Sequence, residues 1–243
     1  MNLRSRVEAE YMKQAEGFAS NHLFERLEKG EGVSHTDYDL FISGVCRSHL
    51  KSPHILAFLF AIAPPGQEAA KLEQNMLEEL GLTGDRISHP SLLFRLMEAA
   101  GFDEKRRAQL EREAEEELRL VITQPLMFGS LKEVGLSVLM ETVAFEWMLS
   151  RLASRIAVAL RDYRRLPAHA LEWFYHHSEV DQRHAEEGLD AVAAFASFYD
   201  IDPEDCETIL EVTFRENVFL KRYFGPRVPE DVGAHTSRPV QVV

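Results

Sequence analysis

The sequence has few cysteines and no long apolar run. Its 243 residues include two cysteines, Cys46 and Cys206, and neither belongs to a CxxC pair. A disulfide framework is therefore not expected, and a reducing compartment fits this composition. No apolar stretch reaches the roughly 18 residues that a membrane span needs, and the first residues lack the apolar core of a signal peptide. We therefore expect a cytoplasmic protein that does not contact a membrane.

Basic residues are also in the minority, with 27 lysines and arginines against 40 acidic residues and a net charge of -13. A surface that binds phosphates needs a basic stripe, and the sequence contains none. We therefore expect no nucleic-acid partner. The hydrophobic fraction of 45% is sufficient for one core, which predicts a single domain.

Apolar residues recur at helical spacing along most of the chain, and alternating strand patterns are nearly absent. Seven or eight helices are predicted, at about residues 3–29, 35–63 with a kink or break at Ser52-Pro53, 67–80, 89–101, 104–122, 131–163, 167–199 and 203–225. This pattern predicts an all-α, single-domain bundle over residues 1–226. The polar, proline-containing tail 227–243 is predicted to be disordered.

The strongest functional pattern is an HxxxDxxH sequence formed by His177, Asp181 and His184. At about 100° per residue, these side chains fall within about 60° of one another on one helix face, which also carries Phe174 and Phe195. Burying them there unpaired would cost several kcal/mol, and a metal ion would remove that cost. Mixed histidine and carboxylate ligation suits iron or manganese. The alternative is a solvated polar face without a ligand.

A second candidate is a carboxylate in the apolar helix predicted at 131–163. Glu141 interrupts the apolar runs on either side of it, and a carboxylate in that setting needs a partner. Glu146 is a competing candidate five residues later. In the alternative interpretation, one of the two lies at the helix surface or pairs with an arginine such as Arg151.

A third pattern, weak by itself, is the segment from Asn75 to Gly81 followed by His89. It places Glu78 and Glu79 at a predicted helix C-terminus, where acidic side chains oppose the helix dipole unless a cation is nearby. The alternative is that these residues lie at the surface.

The order NxxxE, Gly, His, a lone glutamate in an apolar helix and then HxxxDxxH resembles the haem-oxygenase-like di-iron oxidases, over roughly residues 42–192. The resemblance implies a haem-oxygenase-like bundle that holds two iron ions, with manganese as the alternative metal. By position, it implies six metal ligands: Glu79, His89, Glu141 as the bridging carboxylate, His177, Asp181 and His184. Glu146 is the alternative to Glu141.

The resemblance also implies an activity. The metal centre would activate O2 and oxidise or cleave a small organic acid, which we expect to be amino-acid-like, in a biosynthetic pathway. The partners would then be O2 and a small-molecule substrate, and the chain would act as a monomer or a homodimer. Arg47 or Lys51 would hold a substrate carboxylate if they do not simply lie at the surface.

Other functions stay open on the sequence alone. Metal-free enzymes of the same fold, thiaminase-like or acting in quinone-cofactor synthesis, are one alternative, and a non-enzymatic protein that binds a metal or a partner is another. Haem oxygenase activity, with His22 as the axial ligand, is a third. The HxxxDxxH sequence together with the glutamate of the apolar helix argues against the metal-free enzymes, and a haem site gives no reason for these further positions. Oxygen consumption by the Fe(II)-loaded protein would distinguish an enzyme from a binding protein.

Overall fold

The computed structural model describes residues 2–83 and 87–225, except for the side chains of residues 179–182. The tail predicted at 227–243 lies outside the described residues. The described chain forms eleven α-helices: α1 Leu3–Ala19, α2 His22–Lys29, α3 His35–His49, α4 Ser52–Ile62, α5 Gln67–Glu79, α6 His89–Ala99, α7 Glu104–Thr123, α8 Leu131–Asp162, α9 Glu172–Phe198, α10 Pro203–Thr213 and α11 Val218–Phe224. Short 3-10 helices lie at Gln124–Phe128 and Ala168–Ala170, and the described residues contain no strand.

The all-α prediction is confirmed, but the predicted number of helices was too low. Two asparagines divide segments that were predicted to be continuous. The Asn21 side chain accepts a hydrogen bond from the Leu23 amide and starts α2, and the Asn217 side chain accepts one from the Leu220 amide and starts α11. An asparagine side chain in this role replaces the backbone partner that a continuous helix would supply.

The centre of the bundle is α8, which has 32 residues and is buried on most sides. It packs along α9 and also contacts α1, α2, α4, α7 and α10. A helix that is apolar nearly all round is expected to lie in the core rather than at the surface. No helix in the described part of the chain is both long and apolar enough to cross a membrane.

The residues that follow α5 lie close to the residues that precede α6, and this sets the spacing of two predicted ligands. Gly81 ends α5 with a φ of +67°, and a Cβ atom built on it would lie 2.5 Å from the Ser88 nitrogen. The Ser88 side chain then caps α6 by accepting a hydrogen bond from the Ser91 amide. Only glycine allows this close approach, which brings His89 at the start of α6 beside Glu79 at the end of α5.

Candidate metal centre

Glu79, His89 and His177 form a buried group that we call the ligand cluster. They come from α5, α6 and α9, and one ligand atom from each lies within 4.8 Å of the other two. His89 Nδ1 is 2.5 Å from Glu79 Oε1, and His177 Nε2 is 3.7 Å from the same oxygen. The structure thus brings together three of the six residues that the resemblance implied as ligands.

The protonation states of the ligand cluster suit a cation. Burial raises the pKa of Glu79, but the adjacent His89 outweighs that effect and holds it well below its ordinary value. Burial lowers the pKa of His177 to about 4, so its ring is neutral near pH 7. Because a metal ligand must be deprotonated, both groups are ready to bind a metal.

The orientation of His177 supports the same conclusion. Its Nδ1 lies 2.7 Å from the Trp173 carbonyl oxygen, which can only accept a hydrogen bond, so the ring proton is on Nδ1. The Nε2 lone pair therefore points towards the Glu79 carboxylate at 3.7 Å. Two electron-pair donors facing each other in a buried site are stabilised by a cation between them, and a carbonyl behind the histidine is the usual arrangement in metal sites.

Ser52, at the start of α4, fixes the other side of the Glu79 carboxylate. Its hydroxyl donates a hydrogen bond to Glu79 Oε2 at 2.5 Å. Glu79 Oε1 thereby remains directed at the two imidazoles. The sequence analysis treated Ser52 only as part of a helix break, because nothing in its local pattern indicates a contact with a residue 27 positions away.

His184 lies two turns after His177 on α9 and is also buried. Its Nε2 is 3.0 Å from Glu78 Oε2, and Arg183 contacts the same carboxylate. His184 therefore lies beside Glu78 rather than in the ligand cluster. The side chain of Asp181, another predicted ligand, lies outside the described residues.

Glu141, the predicted bridging ligand, faces Arg222 in this structure. Arg222 Nε donates a hydrogen bond to Glu141 Oε1 at 2.8 Å, and Nη2 lies 2.7 Å from the same oxygen. Arg222 Nη1 also donates to Glu117 Oε1 at 2.5 Å. We call Glu117, Glu141 and Arg222 the Arg222 network. Arg151, which the sequence analysis considered as a partner, instead stacks on the ring of Trp147 in the same helix.

Glu146, the alternative to Glu141, lines the same cavity as Glu79 and His177. It accepts a hydrogen bond from Asn75 Nδ2 at 2.7 Å. Burial raises the pKa of Glu146 to about 7, and the negative charges of Glu79 and Glu187 add to the rise. A buried carboxylate with so high a pKa is typical of functional sites.

Two small cavities meet at Glu146. The larger, of about 70 Å³, is also lined by Glu79 and His177, and the smaller, of about 20 Å³, is also lined by His184. Glu146 therefore lies between the ligand cluster and His184, where a carboxylate could contact two metal ions.

Arg222 and His49 are two further residues near the ligands that sequence analysis did not identify. Arg222 is 4% exposed, and a lysine-arginine pair inside the short apolar helix α11 was the available signal. His49 Nε2 is 2.8 Å from the Tyr223 hydroxyl, and burial lowers the pKa of His49 to about 3. No spacing pattern indicates that pair, because its members are 174 residues apart.

Comparison with known proteins agrees with the chemistry of these residues. A family model described as an iron-containing redox enzyme matches residues 40–215, a range that runs from within α3 to just beyond α10 and contains all six predicted ligands. No curated protein matches the chain. Two imidazoles and one carboxylate, as in the ligand cluster, are a ligand set found in non-haem iron sites. The chain therefore belongs to the haem-oxygenase-like family of iron-containing redox enzymes.

Proposed function

We propose that this protein is a non-haem di-iron oxidase or oxygenase that uses O2 to oxidise or cleave a small organic acid. The observation that carries the proposal is the ligand cluster, in which Glu79, His89 and His177 are all buried with their ligand atoms within 4.8 Å. Three such groups in a dry site are stable as a set when a cation joins them. Manganese would suit the same donors, but the family favours iron.

The two ions would be held by different parts of this group. The ligand cluster would hold the first ion, and His184 would hold the second together with the sequence-predicted Asp181. Glu146 would be a ligand shared by both sites, and its position between the two cavities supports this role. We favour Glu146 over Glu141 because the ion pair with Arg222 already neutralises Glu141. Three carboxylates then balance most of the charge of two Fe(II) ions.

The side chains around the ligands have separable roles. Ser52 orients Glu79, the Trp173 carbonyl orients His177 and Asn75 orients Glu146. Iron, when bound, supplies the electrons that reduce O2, which ordinary side chains do not. The protein supplies the geometry and a mainly apolar cavity beside the ligands.

The cavity beside the ligand cluster supports a small organic substrate. Apolar side chains that include Ile55, Leu56, Phe145 and Leu149 line it, and these would contact the body of the molecule. An amino-acid-like acid from a biosynthetic pathway is the substrate that we infer. O2 and this small molecule are the partners that the proposal requires, and a cytoplasmic location is part of it.

The experiment is an anaerobic titration with Fe(II) followed by addition of O2. We expect two Fe(II) ions to bind per chain and O2 to be consumed, faster when a suitable acid is present. The variant His177→Ala should lose both properties. His22→Ala is the matched control: His22 is exposed at the first residue of α2, so its removal should change neither.

Other outcomes would contradict the proposal. Iron binding with no O2 consumption beyond slow autoxidation would indicate a binding protein. Full activity in a metal-free preparation would indicate one of the metal-free enzymes of this fold. Loss of activity in His22→Ala would favour a haem-binding protein.

A further inference from the structure

The cavity beside the ligand cluster has a charged wall that the proposed metal site does not use. Glu117, Glu141 and Arg222, the Arg222 network, line this cavity together with Glu79 and His177. Glu141 and Glu146 are five residues apart on α8, a rise of about 7.5 Å along the helix axis. The cavity therefore joins a charged end to a metal-binding end across a distance that a small molecule spans.

We propose that the Arg222 network binds the ammonium and carboxylate groups of a small zwitterionic substrate and holds its remaining atoms towards the ligand cluster. This inference rests on the proposed function, because it names the substrate class of the same site. Arg222 lies beyond the residues 40–215 that the family model matches, so family membership assigns it no role.

Arg222 has hydrogen-bonding capacity left for a carboxylate. Its described contacts are Nε and Nη2 to Glu141 Oε1 and Nη1 to Glu117 Oε1. These use three of the five N–H bonds of a guanidinium. One N–H on each terminal nitrogen remains, and a pair of adjacent N–H groups is the usual arrangement for binding a carboxylate.

The two glutamates provide the complementary half of the site. Each uses one oxygen on Arg222, which leaves Glu141 Oε2 and Glu117 Oε2 as further acceptors, and the latter is 3.9 Å from Arg47 Nε. Arg47 also lies 3.9 Å from Glu113, and Glu113 in turn pairs with Arg106 at 3.3 Å. The three arginines and three glutamates of this region balance, so the site favours a ligand with no net charge whose ammonium group contacts the remaining glutamate oxygens.

The charges discriminate between substrate classes. A simple carboxylic acid would place its anion beside two glutamates, and a simple amine would place its cation beside Arg222. Each would bury a charge next to one of the same sign, which is costly in a site with little water. A zwitterion satisfies Arg222 and the glutamates together and leaves the net charge of the site unchanged.

The size of the cavity agrees with a small amino acid. Its volume is about 70 Å³, and since one water needs roughly 10–15 Å³ on this measure, it holds about five waters. Five waters occupy roughly 150 Å³ of liquid, which is the size of a molecule with about ten non-hydrogen atoms. A long-chain fatty acid does not fit this space.

The Arg222 network also borders a second cavity. This cavity, of about 330 Å³, is lined by Gln124, Phe128 and Lys221 and also touches Glu141 and Arg222. These two side chains therefore lie between the two cavities. A substrate that enters through the second cavity would exchange contacts with this ion pair.

The experiment measures binding to the Fe(II)-loaded protein under nitrogen, by calorimetry, so that no turnover is needed. The probes form two matched series: L-norleucine, hexanoate and pentylamine, and L-phenylalanine, 3-phenylpropanoate and 2-phenylethylamine. We expect at least one amino acid to bind tenfold or more tightly than the acid and the amine of its series. The variants Glu141→Gln and Arg222→Lys should each remove that preference.

Matched controls use the exposed ion pair of Glu28 and Arg155, whose atoms lie 2.5 and 2.8 Å apart. Glu28→Gln and Arg155→Lys should leave binding unchanged. Glu141→Gln retains the size and an acceptor oxygen of Glu141, so it tests the inference even if Arg222→Lys is too unstable to purify. Iron content is measured on every preparation. A chain without iron would contradict the proposed function, whereas an iron-loaded chain without a preference for zwitterions would contradict only the present inference.

Three results would overturn the inference. The first is that neither amino acid binds more tightly than its acid and amine. The second is that the preference survives in both variants. The third is that Glu141→Gln loses iron, since Glu141 would then be a metal ligand and not part of a substrate site.

Discussion

Two buried glutamates near the proposed metal site have opposite pKa shifts because their neighbours differ. Glu79 keeps its charge because His89 lies against it, and its pKa falls well below the ordinary value despite burial. Glu146 has an amide rather than a cation as its partner, and burial raises its pKa to about 7. A cation placed beside both carboxylates would remove this difference, because it would displace the proton from Glu146.

The first prediction compares the two candidate bridging glutamates. Glu146→Gln should lower the iron bound per chain by at least half, because it removes a charge that we assign to the ions. Glu141→Gln is the matched control on the same helix, and it should leave the iron content unchanged because Glu141 faces Arg222. Elemental analysis of the purified variants measures both. The reverse result would restore Glu141 as the bridging ligand.

A second prediction concerns the pH dependence of stability. His49 is neutral in the folded protein, because burial lowers its pKa from 6.5 to about 3. The unfolded chain binds this proton below about pH 6.5, so His49 makes stability fall as the pH falls from 6.5 towards 3. The slope is about 1.4 kcal/mol per pH unit for one group.

The variant His49→Gln should lose this contribution, because glutamine can still hydrogen-bond the Tyr223 hydroxyl but does not titrate. The difference in unfolding free energy between wild type and variant should therefore shift by about 1.4 kcal/mol per pH unit in favour of the variant as the pH falls. Urea unfolding between pH 4 and 6.5 measures it. A difference that does not change with pH would show that His49 is already protonated in the folded state.

At the scale of elements, α11 carries Arg222 and its position depends on α3. A Cβ atom built on Gly44 of α3 would lie 2.2 Å from the Tyr223 carbonyl oxygen of α11. The obstacle is backbone, so no side-chain rotation removes it. The close packing of these two helices therefore requires glycine at position 44.

The variant Gly44→Ala should destabilise the protein by roughly 1–3 kcal/mol, because it forces α11 away from α3. Its matched control is Gly17→Ala in α1, where the nearest atom is the Asn217 side-chain nitrogen at 3.3 Å. There the higher helix propensity of alanine should offset the contact. Thermal unfolding measures both changes, and equal effects would contradict the assigned role of Gly44.

The sequence predicted most elements, because the helical period of apolar residues and the positions of glycine and proline are local signals. It also identified the three members of the ligand cluster as candidates. It could not choose between Glu141 and Glu146, which lie about 140° apart on α8 at 100° per residue. Because α8 is apolar nearly all round, its sequence predicts a buried side chain at both positions.

The sequence also did not predict which residues pair with the buried charged side chains. The acidic helix α7 has the charge pattern of a solvated, salt-bridged face, but Glu117 points inward to Arg222, 105 residues away. The charge pattern of α7 is the same whether its partner is solvent or a buried arginine. Only the packing of α3, α7, α8 and α11 distinguishes these cases.

At the scale of the whole molecule, the proposed ligands come from parts of the chain that are distant in sequence. The ligand cluster joins α5, α6 and α9, so a bound metal would cross-link helices that the unfolded chain does not hold together. A ligand that binds only the folded state stabilises it by about 2.7 kcal/mol at a concentration of 100 times Kd.

Metal loading should therefore raise the Tm by several degrees, and Mn(II) is a suitable probe because it avoids the reaction of Fe(II) with O2. The shift should disappear in His177→Ala, which removes one member of the ligand cluster, and persist in His169→Ala, which changes an exposed histidine. Calorimetry with and without Mn(II) measures it. An equal shift in all three proteins would indicate unspecific binding at the acidic surface.

The number of iron atoms per chain tests the central claim most directly. The measurement is the iron content of the purified wild type and of His184→Ala, both produced with ample iron. We predict two iron atoms per wild-type chain and a clear loss in the variant, because His184 is assigned to the second ion. Fewer than one iron per wild-type chain, or an unchanged content in His184→Ala, would contradict the di-iron account.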